Sequence, residues 1–230
     1  MYFIMIISKS NLLKMWKAIT ILFYLNTYSQ QIIFPKLLCD KQIDSCKVDS
    51  LRNNFGSNKT YPSQFELPIL IALSQYPELK NIKIKFKFAK FKHASMMSLF
   101  TTQSLLRQKH KRHYVILINN NSKEKKYKLF LQNSNYDSQI AVIGHELAHT
   151  TQYLQKTNIG LLTLFSTFFI KKVQKKLERE ADYLTIKHNL GYQLFQRKQF
   201  DELTYPIRKR AKLYLSAKEV TEYNKKLYTK

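Results

Sequence analysis

His145-Glu146-Leu147-Ala148-His149 sets two imidazoles four residues apart, with a carboxylate beside the first. On a helix, residues i and i+4 share a face, so both rings can reach one zinc ion. Glu146 can then take a proton from the attacking water as a general base. Two surface histidines on an ordinary amphipathic helix would leave the same letters. With 6 His and 9 Glu in 230 residues, such a match arises by chance on the order of once in a hundred chains or less.

Two histidines leave zinc short of a ligand, because catalytic sites usually take three from the protein. The candidate lies in Leu177-Glu178-Arg179-Glu180-Ala181-Asp182. At helical spacing Glu178, Ala181, Asp182 and Thr185 share one face, and Glu180 points away. Glu178 is therefore the expected third ligand. Asp182, one turn on, can hold a ligating histidine by its second nitrogen. A charged, solvated helix face is the competing reading.

HELAH followed by E-x-x-A-D (Glu178, Ala181, Asp182) resembles the gluzincin metallopeptidases, most closely the group containing the HtpX-type and CAAX prenyl endopeptidases. The resemblance covers residues 140–191. It implies a Zn²⁺ cofactor held by His145, His149 and Glu178, with Glu146 as catalytic base. It says little about substrate. Those enzymes carry several long transmembrane helices and this chain does not, so it looks more like short zincin-type proteins of bacteria.

The elements that must position these residues come next. The zinc helix is expected over residues 137–155, with Ser134, Asn135 or Asp137 as N-cap. Ile140, Ile143, Leu147 and Leu154 form its core stripe, with Gly144 and Thr151 allowing close packing. The helix carrying Glu178 is expected to end near Gly191, a good residue for a left-handed cap. Upstream, Pro62 opens a helix through Tyr76, kinked at Pro68. Residues 82–88 alternate Ile and Phe with lysine, a half-buried strand with one basic face. Residues 93–102 read as a loop and 107–113 as a basic loop. Residues 114–118 are a strong strand, 119–126 a turn and 127–131 a short return strand. Pro206 separates two later helices. Leu161 to Ile170 is apolar almost all round and then meets Lys171, Lys172, Lys175 and Lys176. Ten residues cannot span a bilayer. The segment either closes the zinc site as a buried helix or lies in a membrane interface with its lysines on headgroups.

These elements give an α+β, zincin-like metallopeptidase domain: a small N-terminal sheet, the HExxH helix, then C-terminal helices. An edge strand beside the cleft of such a domain can bind extended peptide by β-augmentation. His188 lies ten residues beyond Glu178, too far along a helix for a direct role, and His93, His110 and His113 fall in expected loops.

Residues 1–29 hold two short apolar runs, the second following Lys14 and Lys17 and preceding Thr27-Tyr28-Ser29. They read as an export signal or a membrane anchor, with Met15 as an alternative start. Residues 30–230 then form one domain. The expected location is exported (periplasmic or secreted) or membrane-associated, in a bacterium. Cys39 and Cys46 form either a small disulfide loop or two thiols.

Net charge is +24, with 32 Lys against 7 Arg. Codon usage in an AT-rich genome accounts for this ahead of an anionic membrane or envelope partner. Scarce arginine argues against sequence-specific nucleic-acid binding. The expected partner is a protein or peptide substrate. The rival function is a basic, envelope-binding protein with a structural or vestigial zinc site.

Overall fold

The computed structural model describes residues 45–228 except 93, 125–126 and 205–212. The expected leader (residues 1–29), the domain start at 30, Cys39, His93 and Pro206 lie outside the described residues. Cys46 is exposed.

In chain order the elements are α1 (Ser45–Phe55), β1 (Lys59–Thr60), α2 (Glu66–Ser74), β2 (Lys83–Ala89), β3 (Met96–Phe100) and β4 (His113–Asn119). They continue with α3 (Tyr136–Gln155), α4 (Asn158–Thr167), α5 (Lys171–Thr185), α6 (Gly191–Thr204) and α7 (Ala217–Tyr228). The described residues belong to one compact unit, an α+β arrangement with a mixed sheet of order β1-β2-β4-β3. β1, β2 and β4 run parallel, and β3 returns antiparallel to β4 at the edge.

β2 has the expected alternation. Ile84 and Phe86 are buried while Lys83, Lys85 and Lys87 face solvent. The buried face of the sheet packs with α2 and α3 through Ile69, Ile116, Ile118, Ile140, Ile143 and Leu147. α3 is the hub: it contacts α2, β3, α5 and α6. Close approach explains Gly144, where a Cβ would stand 2.4 Å from Leu190 Cδ1. Tyr76 also donates its hydroxyl to the Gly144 carbonyl at 2.7 Å.

Several expectations are corrected. Pro68 does not kink a helix. It sits in the first turn of α2, where its missing N–H has no helical partner to lose. Residues 96–100 form a strand, not a loop. Residues 127–131 form no return strand but fall in two 3₁₀ turns. Leu129, Phe130 and Leu131 are all buried there. The chain breaks after α5 at Asn189 (φ 61°) rather than at Gly191, whose φ of −60° opens α6. Gly191 is small for a different reason: a Cβ would meet Asn224 Oδ1 at 2.6 Å. α4 is not a buried helix, since Ile159, Leu162 and Phe165 are exposed.

Among the described residues, no helix is long and apolar enough to cross a membrane.

Candidate metal centre

α3 starts where Asn135 accepts from the Ser138 N–H at 2.8 Å, the usual remedy for an orphan donor at a helix start. Its far end is closed by Arg112, a buried side chain from the segment read as a basic loop. Arg112 donates to the carbonyls of Tyr153 (3.1 Å) and Lys156 (2.8 Å). A guanidinium suits the negative end of the helix.

Three donors converge between α3 and α5. His145 Nε2 stands 3.1 Å from Glu178 Oε2, and His149 Nε2 stands 3.3 Å from the same oxygen. His145, His149 and Glu178 form a group with the spacing to hold a metal ion. Ligands at about 2.0–2.2 Å from zinc, in tetrahedral array, stand about 3.3–3.6 Å apart. The observed 3.3 Å stands at the lower end of that range and the 3.1 Å just below it. Two imidazoles and one carboxylate are also a donor set that zinc favours.

The other nitrogen of each ring is held from behind. His145 Nδ1–H donates to Asp182 Oδ1 at 2.9 Å. His149 Nδ1–H donates to Gln152 Oε1 at 2.8 Å, and Gln152 Nε2 donates in turn to the Leu177 carbonyl at 3.1 Å. With both Nδ1 atoms donating, both Nε2 lone pairs face the same point as Glu178. Asp182 is fully buried and fully partnered: Lys198 Nζ reaches its two oxygens at 3.1 and 2.9 Å, and the Leu215 N–H donates at 2.8 Å. Glu180 is exposed and turned away.

Electrostatics mark this as a place that wants positive charge. Burial works against charge on His145, but hydrogen bonds to Asp182 and Glu178 outweigh it and push the imidazole up to about 10. Burial would raise Glu178, yet both histidines draw it well below the usual carboxylate range. Either a proton or a cation between these groups meets the same demand.

Glu146 lies beside the cluster without joining it. Burial raises its pKa, against the pull of His149 and His145. One oxygen, Oε2, has no hydrogen-bond partner, and the Ser98 backbone hydrogen-bonds the carboxyl. β3 is stitched to α3 there: Ser98 Oγ meets Thr150 Oγ1 at 2.9 Å, and Tyr153 donates to the Ser98 carbonyl at 3.4 Å. The cluster and β3 line one cavity of about 560 Å³, walled further by Phe130, Val142, Leu164 and Leu194.

The structure thus brings His145, Glu146, His149, Glu178 and Asp182 together. His188 lies elsewhere, paired with Glu78 at 3.0 Å while stacked on Tyr76 at 4.1 Å. His110 is exposed, and His113 pairs with Arg107 at 2.9 Å. Sequence reasoning missed Gln152, Lys198, Ser98 and Tyr214, whose ring centroid is 5.8 Å from that of His145. Only Gln152 had a signal, standing one turn beyond His149. No known protein family, characterised protein or solved structure matches the chain. The resemblance to gluzincins therefore rests on the two sequence motifs alone.

Proposed function

We propose that the chain is a zinc-dependent endopeptidase with a zincin-like fold. The observation that carries the reading is the convergence of His145 Nε2, His149 Nε2 and Glu178 Oε2 on one point beside a buried, half-partnered Glu146. Bound there, zinc supplies Lewis acidity toward a scissile carbonyl and toward water.

The chain's own groups do the rest. His145 and His149 present their Nε2 atoms to the metal because Asp182 and Gln152 hold their Nδ1–H groups from behind. Glu146 accepts a proton from water as the water oxygen attacks the peptide carbonyl carbon. When the C–N bond breaks, Glu146 passes that proton to the departing amine. A pKa raised by burial suits both halves of this exchange. Among the described residues β3 is paired on one side only, so its other edge can take an extended peptide as an added strand. Of the strands available for that role, β3 is the one that lines the cavity. The proposed substrate is a protein or peptide, reached outside the cytoplasm or at a bacterial membrane.

The test is Glu146→Gln, assayed on a broad peptide library. The amide cannot accept the proton. It should keep zinc and fold while losing about 10²–10⁴-fold in cleavage rate. Zinc-dependent cleavage that is equally fast in both proteins would exclude this mechanism. A structural zinc site in a binding protein would instead show zinc retention with no cleavage by either.

A further inference from the structure

We propose that the outward face of α4 and the turn after it dock on an anionic lipid membrane, bringing the mouth of the cleft to the bilayer surface. The helix is apolar on two sides for two reasons. Leu161 is buried in the core, and Leu164 and Phe168 turn toward the cleft. Ile159, Leu162, Phe165 and Phe169 follow at spacings of three, three and four residues, which keeps them on one stripe. That stripe faces solvent, with exposures of 77%, 52%, 67% and 85%. Phe165 and Phe169 also border the cavity, so the stripe runs to its mouth. Ile170 at 53% and Leu106 at 91% extend it, the latter on the 3₁₀ turn Thr102–Leu106 that packs against α4. A contiguous apolar surface of this kind marks an interaction site rather than ordinary scatter.

Charge selects the occupant. Lys171, Lys172, Lys175 and Lys176 follow the stripe directly and are exposed. Lys109 and Lys111 are exposed beside it, with Lys109 donating to the Gln155 carbonyl at 3.0 Å near the start of α4. No Asp or Glu occurs from Leu147 to Leu177. A second copy seated on this stripe would bring like lysine clusters together, which is unfavourable. Apolar side chains entering the acyl boundary, with lysines among phosphate headgroups, satisfy both features at once. An apolar contact joined to a polybasic patch is the pairing of signals that stable membrane association takes. Docking of this kind does not depend on the cleft being catalytic.

The experiment places a reporter on the stripe. The chain has a single tryptophan, Trp16, so Phe165→Trp in a Trp16→Phe background reports from the stripe alone. Full-length protein is mixed with phosphatidylglycerol vesicles carrying brominated acyl chains, and with neutral phosphatidylcholine vesicles. Quenching on the anionic vesicles and little on the neutral ones is expected. Phe165→Ser/Phe169→Ser should lower the partition coefficient for anionic vesicles by about tenfold or more, with an unchanged melting curve because both positions are exposed. Unquenched fluorescence from the introduced tryptophan, in protein that sediments with vesicles, would overturn the proposal, since another segment would then be the anchor. So would a lipid-free dimer, seen by sedimentation equilibrium, that dissociates in the double-serine variant.

Discussion

Removing Glu178 and removing Glu180 should have opposite consequences, although the residues are two apart on one helix. Glu178 is buried and offers a single oxygen 3.1 and 3.3 Å from two imidazole nitrogens. Glu180 is exposed and pairs with Lys176 at 3.8 Å, a surface contact worth about 0–1 kcal/mol. Disturbing a group behind a ligand typically costs about 10–100-fold in metal affinity. Glu178 is a ligand itself, and alanine leaves two neutral nitrogens with no anion to balance a dication. The loss in Glu178→Ala should therefore exceed about 100-fold, while Glu180→Ala should stay within about twofold of wild type. Wild-type protein should bind about one zinc per chain. Elemental analysis of purified protein gives stoichiometry, and competition against a chelating dye gives affinity. Equal affinity in the two variants, or a wild type that binds no zinc, would refute the reasoning.

Three further outcomes are expected. Asp182→Asn removes the charge behind His145 and leaves Lys198 without its partner, so zinc affinity should fall by about 10–100-fold in the same dye competition; an unchanged affinity would remove Asp182 from the site. Gly144→Ala forces buried Leu190 to move, so the protein should lose about 1–3 kcal/mol and melt a few degrees lower by calorimetry. The His188–Glu78 pair gives a pH signature. Burial opposes both charges, but the mutual hydrogen bond wins, raising His188 above 6.5 and lowering Glu78 below 4.5. Its stabilisation is complete between those values. It fades as pH falls through the folded value of Glu78 and as pH rises through that of His188. The melting-temperature gap between wild type and His188→Gln should be largest between pH 4.5 and 6.5 and shrink as pH rises beyond 6.5 through the folded value of His188; a flat gap would show that the Tyr76 stack, not charge, is what the substitution removes.

How much was legible depended on whether the signal was local. The HExxH helix could be read because its spacing, its cap and its core stripe lie within twenty residues. Glu178 could be read because the helical period separates it from Glu180. β2 alternates Ile and Phe with lysine, β4 is an unbroken apolar run from Tyr114 to Ile118, and both were expected within one residue at each end. β3 was missed because Met96 and Ser98 are its inward residues. Methionine is a weak strand former, and a buried serine makes sense only once Thr150 is seen opposite it. Arg112 read as one cation in a basic run. Its burial at the end of α3 depends on a contact across forty residues. Lys198 is equally silent, since only the break at Asn189 folds α6 back onto Asp182. α4 was legible as an apolar segment but not as a two-sided one, because composition cannot show which face meets the core.

The outer layer of the site explains why the inner layer suits a dication. Asp182 and Lys198 cancel each other, both shielded from water. Gln152 is neutral, and the two imidazoles would be neutral where a metal ion takes the place of a proton on Nε2. The uncompensated charges are then the carboxylates of Glu178 and, once ionised, Glu146. Two negative charges sharing a buried pocket are unfavourable; burial is what chiefly raises the pKa of Glu146, and the charge of Glu178 adds to it. A single proton, shared by His145 and Glu178, answers only one of them. A zinc ion answers both, and in doing so lowers the cost of ionising the residue proposed to act as base. A metal held there would thus be coupled to Glu146 through charge.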